Sequence, residues 1–337
     1  MNEEEPAAAA PCPLPTPPLT LEAEFGDPTR HEVLTQGAWA IWYNPSFIDA
    51  SEAQIAADFL QVARCRAVTN HQTPDAISLG AGHYVNVYLH EPGEEDGFPE
   101  GWGNGVGTNA FNLPYVTFPN VAWADRENVD HEAFHIFQYD SDAPGFDYAG
   151  DSGWYVETTA NWFSIQPDLA STTAYVTAGA IAGNPHLALW HGFDNARPED
   201  PVHWMTETRQ YGLQVFLQHL IETTPLTDED GVSGFFTTTE LLPQEYLTGI
   251  IGHATMEEAW ADFAALMTAS FSAAPNAPMP DWVMTAAQRD RAVEERAALV
   301  ALDPQPNIEN DIAIEADLSE PFSGTLAPPD RLAPRPW

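Results

Sequence analysis

The chain has 337 residues and carries 11 basic side chains, all arginine, against 50 acidic ones, for a formal net charge of −39. A field of that sign repels phosphate, so nucleic-acid binding through a basic patch is excluded and anionic membrane surfaces are disfavoured. Hydrophobic residues make up 44% of the chain and aromatics 11%, enough for a sizeable core, which excludes disorder as its general state.

Residues 1–20 are rich in Pro and Ala and read as an unstructured spacer, without the basic and apolar regions of a signal peptide. No apolar run approaches the ~18 residues that a bilayer span needs. Cys12 lies in this spacer and Cys65 in a predicted helix; the two are either bridged or unrelated thiols. Ala38–Tyr43 is an aromatic and β-branched run ending at Asn44-Pro45, and it reads as a strand. From Ser51, taken as a cap, Ile55, Phe59, Leu60 and Val62 recur at helical spacing. His83–Leu89 alternates as a second strand, and a strand–helix–strand unit of this length predicts two parallel strands. Glu91–Gly107 reads as a long surface loop. Leu113–Phe118 reads as a strand whose Pro114 favours a sheet edge.

The second half is mainly helical, with patterns over Arg126–Tyr139, Tyr155–Ile165, Thr206–Glu222, Met256–Met267 and Ala286–Val300. Thr255 and Glu258 form a capping-box pattern for the fourth of these. From Asp303 the chain turns extended, with one alternating stretch at Asp311–Leu318. The expected organisation is the spacer (1–20), an N-terminal α/β lobe (21–125), a helical lobe (126–302) and an extended Pro-rich segment (303–337) that leads toward a further domain.

Residues 131–135 read His-Glu-Ala-Phe-His, the HExxH pattern. Positions i and i+4 lie about one helical turn apart, so His131 and His135 can face one tetrahedral zinc ion. Glu132, one residue round, stands beside the metal and can serve as general base toward water. Asp125 is placed to cap this helix, and Val129, Phe134 and Phe137 to anchor it. A catalytic zinc takes a third protein ligand, expected from a His, Asp or Glu on a neighbouring element.

Residues 154–162 read Trp-Tyr-Val-Glu-Thr-Thr-Ala-Asn-Trp, with Glu157 twenty-two residues past His135 (157 − 135). The pattern W-x-x-E-x-x-A-x-aromatic at this distance from HExxH resembles the glutamate helix of the gluzincins, the clan of thermolysin-like proteases and zinc aminopeptidases. The longer string His131-Glu-Ala-Phe-His-Ile-Phe-Gln138 is similar to secreted bacterial metalloprotease-like proteins with HExxHxxQ. The resemblance covers residues 36–270. It implies an α+β, zincin-like fold: an α/β lobe with a mixed sheet and an edge strand, an active-site helix, then a mainly helical lobe.

It further implies Glu157 as the third zinc ligand, Asn161 as the group orienting a ligand histidine, and Tyr211 or His203 as oxyanion donor, with Tyr211 favoured. The competing assignment for Tyr211 is a core aromatic on the helix carrying Val215, Phe216 and Leu220. Val156 and Thr158 stand where many aminopeptidases of the clan have Asn and Gly, which counts against recognition of a substrate's amino terminus.

The implied function is that of a secreted, extracellular zinc metallopeptidase acting on peptide or protein substrates, monomeric, with no nucleic-acid partner and no membrane insertion. The alternatives are a catalytically silent zinc-binding surface protein and a hydrolase of non-peptide amides or esters. Asp140, Asp142, Asp147 and Asp151 form an oxygen-rich loop that is either a calcium (Ca2+) site or a solvated turn. The other histidines show no ligand spacing.

Overall fold

The computed structural model describes residues 12–13, 18–91, 97–99, 102–139, 153–167, 181, 210–235, 242–271, 287 and 290. Strands β1 (Glu32–Gln36) and β2 (Trp39–Tyr43) form an antiparallel hairpin in which Gln36 faces Trp39. Its two-residue turn needs Gly37, whose φ is +58° and where a Cβ would run into the Gln61 side chain. Asp49 caps helix α1 (Ala50–Cys65), its carboxylate accepting from the N–H groups of Ser51 and Glu52 while Glu52 reaches back to the Asp49 N–H. The cap is therefore Asp49, two residues before the expected Ser51, and the box is complete.

A π-helical turn (Arg66–Asn70) and the short α2 (Ile77–Gly80) lead to β3 (Val85–His90), which runs parallel to β2. Next come β4 (Gly105–Thr108) and β5 (Pro114–Pro119). The sheet order is β1-β2-β3-β5-β4, with β5 parallel to β3 and β4 antiparallel to β5. The fold is thus α+β with a five-stranded mixed sheet.

Two expectations are corrected here. The edge strand is β4, not Leu113–Phe118, and β4 begins inside the stretch read as a loop. Pro114 is tolerated in an inner strand because it stands at the strand's first residue, paired with Thr108, where a missing N–H costs the ladder little.

Both faces of the sheet are covered, so β2 and β3 are buried throughout. On one face Trp39, Ile41, Val87, Val116 and Phe118 join the main core with α1 and the helix over Arg126–Tyr139. On the other, Trp42, Tyr88 and Phe98 pack with Phe25, Trp102 and Tyr115. The buried Asn86 is satisfied within that second cluster, accepting from Trp42 Nε1 at 2.9 Å and donating to the Glu22 carbonyl at 2.9 Å.

A 3-10 turn (Ala122–Ala124) leads into α3 (Arg126–Tyr139), which packs on α1 and on α4 (Gly153–Ile165). Residues 210–212 and α5 (Gln214–Thr223) follow, then α6 (Pro243–Ile251) and α7 (His253–Phe271). Helix α7 begins at His253, so Thr255 lies inside it and does not cap it. Cys12 and Cys65 form a disulfide that ties the N-terminal arm to the end of α1, and Arg64 holds the arm by donating to the Pro13 carbonyl and to Asp75. Among the described residues, no helix is long and apolar enough to cross a membrane.

Candidate metal centre

Helix α3 starts where its sequence directs, with Asp125 Oδ1 accepting from the N–H groups of Glu127 and Asn128 at 3.0 and 3.4 Å. Two devices lock α3 against α4. Phe134 stacks on Phe163 with centroids 4.5 Å apart. Arg66, reaching in from the π-turn, donates to Asp130 Oδ2 at 2.7 Å and to the Phe163 carbonyl at 2.5 Å, with its guanidinium 4.1 Å over the Phe163 ring. Asp130 is fully buried, and burial pushes its carboxyl up to about 6 against the opposing pull of Arg66 and Arg126. Burial also lowers Arg66.

This clamp brings together the residues that the HExxH and glutamate motifs single out. His131 Nε2 and His135 Nε2 stand 3.0 Å apart, and Glu157 Oε2 lies 3.1 Å from the first and 3.6 Å from the second. Ligands about 2.0–2.1 Å from a tetrahedral ion stand roughly 3.3 Å from one another, so the triangle has the size such an ion requires. Among the described residues it is the one convergent group of three His, Cys, Asp or Glu ligand atoms.

The protonation pattern completes the fit. Gln138 Nε2 donates to the Val156 carbonyl at 3.0 Å and to Thr159 Oγ1 at 2.8 Å, which turns its Oε1 toward His135 Nδ1 at 2.6 Å. An amide oxygen only accepts, so Nδ1 carries a proton, and Nε2 is the ring nitrogen turned toward Glu157 and His131. Glu157 Oε2 is almost fully buried, with the two histidine nitrogens as its near neighbours. Two imidazole nitrogens and a carboxylate oxygen thus face one point, where they could hold a metal ion. Without a metal, the same charges favour a proton at this point. Burial works against charge on both groups, yet Glu157 and Glu132 carry His135 up to about 9, and the two histidines hold Glu157 far below the usual carboxylate range.

Glu132 is buried beside the triad and its Oε1 accepts from Asn104 Nδ2 at 2.5 Å. Burial raises its affinity for protons, Glu157 adds to this, and the two histidines oppose it. A cavity of about 600 Å³ opens over this group, and Asn104, Val106, Glu127, Asn161 and Tyr211 also line it.

Asn161 does not meet a histidine. Its Nδ2 donates to the Tyr211 carbonyl at 2.7 Å, and Thr158 Oγ1 donates to the preceding carbonyl, Gln210, at 3.0 Å. The helix that carries Glu157 thereby holds Tyr211 in the cavity, its ring centroid 6.2 Å from that of His131. The residue that orients His135 is Gln138, and its spacing is the signal that identifies it: i+3 from His135 lies on the same helical face. Asn104 carries no local signal, since it precedes His131 by 27 positions and meets Glu132 only through the sheet.

His203, the acidic loop at Asp140, Asp142, Asp147 and Asp151, the proposed helix Ala286–Val300 as a whole and the Asp311–Leu318 stretch lie outside the described residues. No family model, curated protein or solved structure matches this chain.

Proposed function

We propose that this chain is a zinc-dependent peptide-bond hydrolase, an endopeptidase of zincin-like build that works in an extracellular, oxidising medium. The observation that carries the reading is the convergence of His131 Nε2, His135 Nε2 and Glu157 Oε2 within 3.0–3.6 Å, with the buried carboxylate of Glu132 beside them at the floor of an open cavity. His131, His135 and Glu157 would hold the ion. When bound, a zinc ion acts as a Lewis acid that polarises a carbonyl and makes water a better proton donor.

The chain's own groups supply the rest. Glu132, made more basic by burial, takes a proton from the attacking water as its oxygen bonds to the carbonyl carbon. It then delivers that proton to the amide nitrogen as the C–N bond breaks. Tyr211 is the donor toward the oxyanion, supported by its place in the cavity wall. The open side of β4 offers backbone groups to an extended peptide, a form of recognition by strand addition. The Cys12–Cys65 disulfide supports the extracellular assignment.

The test is metal analysis of the purified protein together with digestion of a mixed peptide library, with and without chelator, for the wild type and Glu132→Ala. Stoichiometric zinc in both proteins, with cleavage by the wild type alone, is the expected result. Cleavage undiminished in Glu132→Ala, or protein that binds no metal, refutes the reading. Zinc bound without any hydrolysis would favour the non-catalytic, metal-binding alternative.

A further inference from the structure

We propose that Asn104 is a positioning residue that aims the Glu132 carboxylate, and that Asn128 keeps Asn104 in the orientation this requires. The proposal rests on the hydrolase reading above and adds to it a residue from outside both helical motifs. Glu132 is nearly buried, and the donor it meets is Asn104 Nδ2, at 2.5 Å. That amide has no freedom to turn over. Asn104 Oδ1 accepts from Asn128 Nδ2 at 2.8 Å while Asn104 Nδ2 donates to Asn128 Oδ1 at 2.9 Å, a reciprocal pair that fixes which end faces Glu132. Asn128 is anchored in turn through the Ala122 carbonyl at 3.3 Å.

The backbone under Asn104 explains why the bond sits at this point. It lies between Gly103 and Gly105, where added Cβ atoms would meet open space, so no side chain crowds the rim. Thr117 Oγ1, from β5, donates to the carbonyls of Gly103 and Gly105 at 2.7 and 3.3 Å and pins this glycine-flanked residue from below. Asn104 is also the residue immediately before the edge strand. A peptide that pairs with β4 therefore rests on the segment that orients the base, which links substrate alignment to the direction in which Glu132 presents its second oxygen. One oxygen held by a neutral donor leaves the other for the proton, without adding a charge that would compete with it.

The experiment uses the full-length zinc-loaded protein and an extended peptide substrate, with Asn104→Ala and the isosteric Asn104→Asp. Asn104→Ala should lower kcat by about 10- to 100-fold with KM little changed and zinc content equal to wild type. Asn104→Asp keeps the shape but replaces the donor with an acceptor, so it should lose at least as much. Asn104→Asp with wild-type kcat would mean that shape alone matters, and it overturns the proposal. A second measurement needs no turnover: urea midpoints of metal-free wild type, Asn104→Ala, Glu132→Ala and the double variant. The two shifts should be non-additive, and additive shifts would show that the side chains are not coupled. Absence of metal-dependent hydrolysis in the wild type refutes the hydrolase reading itself, whereas normal wild-type hydrolysis with unimpaired Asn104→Ala refutes only this proposal.

Discussion

Replacing Gln138 by Met should weaken zinc binding far more than its small change in volume suggests. The side chain is 1% exposed and makes three contacts, so the loss can be apportioned. Thr159 Oγ1 keeps its donation to the Tyr155 carbonyl at 2.7 Å, and the Val156 carbonyl keeps its place in the backbone ladder of α4. The cost therefore falls on His135, a buried ring whose Nδ1–H loses its acceptor.

Leaving one buried donor unsatisfied costs about 1–3 kcal/mol, which should appear in urea denaturation of the metal-free protein. Loss of the group that fixes the ligand's ring and tautomer costs about 10- to 100-fold in metal affinity. Competition titration against a chromophoric chelator measures this directly. Gln138→Glu provides the contrast, because it retains an acceptor for Nδ1–H but turns an anion toward the Val156 carbonyl. It should hold zinc nearly as well as wild type and yet be less stable. If Gln138→Met binds zinc within about threefold of wild type, the tautomer argument is wrong and Gln138 is only packing.

Arg66→Ala strips the fully buried Asp130 of its 2.7 Å partner and leaves Arg126 at 3.5 Å, so it should cost about 3–5 kcal/mol by urea denaturation. Adding Asp130→Asn should recover part of that loss, and an unchanged loss would count against an unpaired charge as its origin. His71 is packed edge-on against Trp162 and Phe163, and burial, aided by Arg66, pulls it from 6.5 to about 4. The unfolded chain binds the proton that the folded chain refuses, so stability should fall as pH drops from about 6.5 to about 4, by up to ~3 kcal/mol. His71→Leu should flatten that slope, and an identical slope in both proteins would refute the assignment. Val121 is 57% exposed at φ +60°, a conformation that suits Asn and strains a β-branched residue. Val121→Asn should therefore raise stability by about 1 kcal/mol, and an unchanged melting temperature would show that no strain resides there.

What could be read from the sequence is what repeats at short range. Helix α3 occupies Arg126–Tyr139 as the pattern predicts, and the parallel pairing of β2 and β3 follows from the length of the unit between them. His131 and His135 needed only helical spacing to be paired. Strand β4 was unreadable because Gly105-Val-Gly-Thr108 has a loop composition and becomes a strand only through its partners on β5. The hairpin partner β1 was missed for a related reason: Glu32–Gln36 is half exposed and carries no strong alternation. Asn161 was assigned the wrong partner because helical spacing from Glu157 says which face a residue occupies and not what packs against that face. The Asp49-x-x-Glu52 box was legible by the same rule that misplaced a cap at Thr255, since the pattern alone does not say whether the helix has already begun.

The bonds that cross between α3 and α4 explain why a chain with so many carboxylates can spend two of them at one buried point. Gln138 ties α3 to the Val156 carbonyl and Thr159, and Arg66 ties Asp130 to the Phe163 carbonyl. None of these bonds involves His131 Nε2, His135 Nε2 or Glu157 Oε2. The spacing of the three ligand atoms is thus set by contacts that exist without an ion, and the repulsion between Glu132 and Glu157 is borne by a frame held elsewhere. A surface rich in acid would offer a divalent ion many weak, adjustable sites. This site differs by being braced from both helices, partly imidazole and largely buried at the floor of a cavity, which favours a small ion that accepts nitrogen over one that needs six or more oxygens. The proposed preference for zinc over calcium therefore rests on this frame, since the net charge of −39 would attract both.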